Sequence, residues 1–104
     1  MTKSLYASMP ESRVAQLDTS LRERAQVLYP ELWDVCKAYS AISGAMNPSV
    51  DLALLKDGAV EGVVTFYLQP KQAGGVVRDR ISTFVCGNPH SSEPVWSMVK
   101  DWND

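Results

Sequence analysis

The sequence predicts an α+β fold: two N-terminal helices, a three-stranded antiparallel meander, and a short C-terminal helix. Apolar residues recur at three-four spacing through the first half of the chain, which is a helical period. In the second half they gather in β-branched and aromatic runs, separated by short turn signals. Helices grouped ahead of hairpin-joined strands belong to the α+β class, where helices cover a sheet that could not stand alone. A weak fourth strand is expected at the N-terminus, Ser4 to Ala7.

The elements follow in order. Pro10 suits the first turn of a helix, where its missing N–H costs nothing. Val14, Leu17, Leu21, Ala25 and Leu28 then form one stripe, with Arg13, Arg22, Glu23 and Gln26 mostly off it. Tyr29-Pro30 interrupts this helix, and Pro30 opens a second with a stripe of Leu32, Val35, Cys36, Tyr39 and Ile42. Trp33 lies beside that stripe, and Gly44 is the stop. Asn47-Pro48-Ser49 marks a loop, Val50 to Lys56 a strand, and Asp57-Gly58 a hairpin turn. Val60 to Gln69 is the clearest strand, and Pro70 to Gly75 a turn-rich connection. In the strand Val76 to Cys86, Ile81 and Thr83 face away from Ser82 and Phe84. After a polar loop, Gly87 to Glu93, Pro94 begins the last helix. Its Val95, Met98, Val99 and Trp102 share one face and Trp96 stands on another.

Composition sets the limits. A chain of 104 residues fits one domain, residues 1–104, and buries roughly 65% of its unfolded surface. Hydrophobic content of 45% with a net charge of −2 excludes a disordered chain. Ten basic against twelve acidic side chains give no basic stripe, so no nucleic-acid partner is expected. No apolar run reaches the ~20 residues of a membrane span, and no membrane partner is expected. Met1-Thr2-Lys3-Ser4-Leu5 lacks the apolar core of a secretory signal, so the expected location is cytoplasmic. One histidine and two distant cysteines supply no metal site, and Cys36 and Cys86 read as small buried apolar residues.

The order of elements is similar to the N-terminal half of the GNAT superfamily of acyl-CoA-dependent N-acyltransferases. The stretch from Leu52 to Val64, with its Asp57-Gly58 turn and Glu61-Gly62, resembles the family's strand, acidic-Gly turn and x-Val-Gly pattern. The resemblance makes Ile81 to Val85 the fourth strand, Gly87 to Glu93 the coenzyme A pyrophosphate loop and Pro94 to Trp102 the third helix. It implies Cys86, Gly87, Asn88, Ser91 and Ser92 as cofactor contacts. It also implies Glu61 or Asp79 as the base that deprotonates an amine, with Tyr67 as acid. The loop departs from the family pattern Arg/Gln-x-x-Gly-x-Gly/Ala. It reads Gly87-Asn88-Pro89-His90-Ser91-Ser92-Glu93-Pro94, with a negative charge and a missing donor where a diphosphate would sit. The family's fifth strand has no counterpart.

The leading expectation is therefore a truncated, non-catalytic GNAT-like domain that binds protein without a cofactor, a form similar to those encoded by viruses and mobile elements. Two alternatives stand beside it: an acetyl-CoA-dependent acyltransferase completed by dimerisation, and an unrelated α+β inhibitor or interaction module. Without a fifth strand, Val76 to Cys86 would present an open edge to a protein partner or a second copy. Arg78 and Arg80 on that strand would guard the edge or meet an anionic group. Trp96, off the stripe of the last helix, is the expected protein-contact residue. His90 lies among serines without a G-x-S-x-G elbow, which favours a solvent-facing loop residue over a catalytic base. Ser91 and Ser92 are N-cap candidates for the last helix.

Overall fold

Pro10, with φ of −60°, caps helix α1 (Glu11–Leu28), and the 10–14 hydrogen bond begins the helical ladder. The computed structural model describes residues 3–4, 9–43, 46–68 and 79–103. Val14, Leu17, Leu21 and Ala25 are buried as the stripe predicts, whereas Leu28 lies at the open end of the helix. Tyr29 ends α1 at the elbow where helix α2 (Pro30–Ser43) begins. The buried face of α2 holds Trp33 and Cys36, while Val35 is 61% exposed. The expected stripe is thus rotated toward Trp33. Its indole packs edge-on to Phe66 at 6.4 Å and carries the larger apolar payload inward. The side chain of Ile42 and all of Gly44 lie outside the described residues.

Strands β1 (Lys3–Ser4), β2 (Ser49–Leu54), β3 (Val60–Tyr67), β4 (Asp79–Cys86) and β5 (Trp96–Asn103) form one antiparallel sheet in that order. The weak N-terminal strand is present at Lys3–Ser4, and residues 5–8 lie outside the described residues. Leu55 to Ala59 joins β2 to β3. Gly58 takes φ +89°, a region costly for any residue with a Cβ, and Asp57 Oδ1 accepts from Ala59 N at 3.0 Å. The connection Pro70 to Gly75 lies outside the described residues.

The expected C-terminal helix is instead strand β5, and the sheet is a four-stranded meander with β1 as a two-residue margin. The physical reason is twofold. A nine-residue helix is marginal by itself, whereas most of the same residues satisfy the outer edge of β4. A β-bulge also hides the strand in the sequence. Cys86, Val85 and Phe84 pair with Trp96, Ser97 and Met98, but Thr83 pairs with Lys100, leaving Val99 as the extra residue. Alternation flips there, so Trp96 and Trp102 lie on opposite faces despite even spacing. The helical stripe would have buried Val95, Met98, Val99 and Trp102; all four are exposed.

Both helices cover one face of the sheet. That face presents Val60, Val64 and Phe66 of β3, Phe84 and Cys86 of β4, and Trp96 of β5, all buried, with Val50, Leu52 and Leu54 at its side. Gly62 lies under α1. A Cβ there would collide with Leu21 Cδ2 and crowd Trp96 and Leu52, so the helix sits against bare backbone. Asn47 tethers the chain before β2 to the end of β3. Its Nδ2 donates to Tyr67 O at 2.7 Å and its Oδ1 accepts from Tyr67 N at 3.0 Å, as a neighbouring strand would. Cys36 and Cys86 are free thiols, both buried as expected. Among the described residues no helix is long and apolar enough to cross a membrane.

Candidate functional site

The register places three rows of side chains across the second face of the sheet. Ser49, Thr65, Ile81 and Trp102 form one row; Asp51, Val63, Thr83 and Lys100 the next; Ala53, Glu61, Val85 and Ser97 the third. Among the described residues no element packs on this face. Trp102 is 45% and Tyr67 39% exposed, and Val63, Ile81 and Val85 are half-buried. Lys100 Nζ lies 5.4 Å from the Trp102 ring centroid, a cation–π contact on the same surface. Thr83 Oγ1, in the centre, is buried without a hydrogen-bond partner. The face thus brings Val63, Tyr67, Ile81, Val85 and Trp102 together with the charged side chains of Asp51, Glu61 and Lys100.

The catalytic candidates that the family resemblance implied are not seen to converge. Glu61 and Tyr67 share this face at opposite ends of β3, roughly 20 Å apart for six residues of strand. Asp79 pairs with Tyr67 in register, and its side chain lies outside the described residues, as does the whole of Arg78. Among the described residues no three His, Cys, Asp or Glu side chains gather as a metal site.

The loop that the resemblance assigned to pyrophosphate joins two strands, so it does not lead into a helix. Asn88 spends its amide inside the loop: Oδ1 accepts from Val95 N at 3.0 Å and Cys86 Sγ at 3.2 Å, while Nδ2 donates to Glu93 O. Ser91 Oγ accepts from Glu93 N within the turn, in place of the helix cap expected of it. Arg13 donates to Ser91 O, pinning the loop to α1. Gly87, His90 and Ser92 are exposed. The open groove between this loop and α1, about 690 Å³, is lined by Glu23, Glu93 and Arg13 among others. Two carboxylates there oppose a diphosphate.

Trp96, expected as the exposed contact residue, is instead 4% exposed; its Nε1 donates to Ser20 Oγ at 3.1 Å and its ring packs over Gly62. The tryptophan open to solvent is Trp102. Their roles are exchanged by the bulge, a signal that periodicity cannot carry. The edge expected at Val76 to Cys86 is likewise corrected: β4 (Asp79–Cys86) is paired on both sides, and among the described residues β5 forms an open margin beyond it. That margin is blunted by the bulge and by Lys100 and Asp101.

Arg80 lies on the helix side of β4, not on a free edge. Its Nη2 meets Asp101 Oδ2 at 2.6 Å, and its guanidinium stacks 4.8 Å from the Tyr29 ring centroid. Ser82 Oγ is 2.9 Å from Asp101 Oδ1 and 3.1 Å from Tyr29 Oη. The carboxylate can only accept, so it takes the serine proton. Burial pushes the Asp101 carboxyl up, but hydrogen bonds from Arg80, Ser82 and Tyr29, with the Arg80 charge, outweigh it and hold the group below its ordinary value. The Arg80 guanidinium is raised in turn, chiefly by its bond to Asp101. Tyr29, Arg80, Ser82 and Asp101 thus lock the helical elbow to β4 and β5. No family model, curated protein or solved structure matches this chain.

Proposed function

We propose that the protein is a non-catalytic binding or assembly module that works through the face of the sheet opposite its helices. The observation that supports this best is the bare face itself, where Trp102 and Tyr67 stand exposed beside Val63, Ile81 and Val85. Aromatic residues of this kind dominate the energetics of protein contacts. The distance between Glu61 and Tyr67, and the acidic groove beside an internally bonded Asn88, favour binding over acyl transfer. The experiment is capture by the immobilised chain, using both a cell lysate and the untagged chain itself as sources. Trp102→Ala and Tyr67→Ala, both at exposed positions, are expected to lose at least about tenfold in retained protein. Retention equal to that of the wild type in both variants overturns the reading.

A further inference from the structure

The charges on the bare face are arranged for a second copy of the same chain. Asp51 and Lys100 occupy the two ends of one row, Asp51–Val63–Thr83–Lys100, on β2 and β5. Both side chains are exposed, and neither is in an ion pair among the described residues. They stand about 14 Å apart, three strand spacings, so they cannot reach each other within one copy. Glu61 adds negative charge on the β2–β3 side. The face is therefore acidic toward β2 and basic at β5, with uncharged side chains, Val63 and Thr83 among them, between.

We infer that two copies pack face to face about a two-fold axis parallel to the strands, between β3 and β4. That operation keeps each row at its own level and exchanges the sides, so β2 of one copy lies over β5 of the other. Asp51 then meets Lys100 of the second copy, twice over, with Val63 above Thr83 between them. Packed sheets lie ~10 Å apart with strands within about 30° of alignment, which the flexible Lys100 stem accommodates. The other in-plane two-fold, across the strands, sets β2 over β2 and β5 over β5. With the axis at the central row it stacks Asp51 on Asp51 and Lys100 on Lys100, and it is disfavoured by charge. The helices of both copies lie outside in the chosen arrangement. Four strands and three shared rows make a face of only roughly 20 by 17 Å, small beside the ~800 Å² per partner of a stable complex. The association is weak and reversible.

This proposal rests on the binding role of the bare face, and the test separates the two. Sedimentation velocity from micromolar to millimolar protein is expected to show a monomer–dimer equilibrium. Asp51→Lys and Lys100→Asp each place like charges together and are expected to weaken it at least about tenfold. In an equimolar mixture of these two variants, opposite charges meet again at both contacts of the mixed dimer. The mixture is therefore expected to dimerise although neither variant does alone. Misfolding of either variant cannot produce that recovery, and circular dichroism checks each fold. A wild type that stays monomeric, or a mixture that fails to associate beside a dimeric wild type, overturns the proposal. If the monomeric chain still captures another protein in a Trp102-dependent way, only the second copy is refuted; if it captures nothing, the binding role falls as well.

Discussion

Gly62 shows how a single missing side chain sets the distance between layers. Leu21 of α1 rests where a Cβ would stand, with Trp96 and Leu52 closing the sides. Gly62→Ala is expected to destabilise the fold by about 1–3 kcal/mol, the range for overpacking a filled core, and equilibrium urea unfolding measures it. Asn47 acts at the same scale through polarity. Its amide is 3% exposed and holds both backbone groups of Tyr67. Asn47→Ala removes both hydrogen bonds to the Tyr67 backbone, so a loss of about 1–3 kcal/mol is expected in the same measurement. The sequence marks both positions, as a strand glycine and a loop signal. Neither mark reveals what the residue touches, because Leu21 and Tyr67 come from distant segments.

At the scale of the element, β5 is where local pattern and fold diverge. Helix α1 was legible because its period runs unbroken through Val14 to Ala25, and the β2–β3 hairpin because an Asp57-Gly58 turn joins two β-rich runs. In β5 one extra residue, Val99, breaks the alternation and leaves a three-four spacing that imitates a helix. What holds β5 in place beyond its ladder is the Asp101 cluster. A carboxyl held below its ordinary value contributes stability that is fully present above the unfolded Asp pKa of about 3.9. It is lost as pH falls through the lower folded value. The side chains of Arg80 and Asp101 are 27% and 30% exposed, and such a pair contributes about 1 kcal/mol. Asp101→Asn is expected to lower the melting temperature by ~5 °C at neutral pH. The difference should close on acidification below the folded pKa, and a gap independent of pH in thermal melts would count against the assignment.

For the whole molecule, a sheet that among the described residues is clothed on one side only is the fact that organises the rest. The two-layer plan was visible from the order of elements, because helices ahead of hairpins leave just one way to cover apolar strands. The alternation of β4 was legible too: Ile81 and Thr83 oppose Ser82 and Phe84, although it did not say which pair the helices cover. The contact surface was not legible, since it depends on which tryptophan the bulge turns inward. Cys36 and Cys86 carry a practical corollary of the clothed side. Burial pushes the Cys36 thiol up against the opposing pull of the Asn47 hydrogen bond, and its sulfur sits 3.7 Å from Tyr67 O under α2. Cys86 is sealed at the far end of the same layer. An alkylating reagent finds either sulfur only when that layer parts, so the pace of labelling becomes a built-in clock for breathing motions, one dial at each end of the molecule.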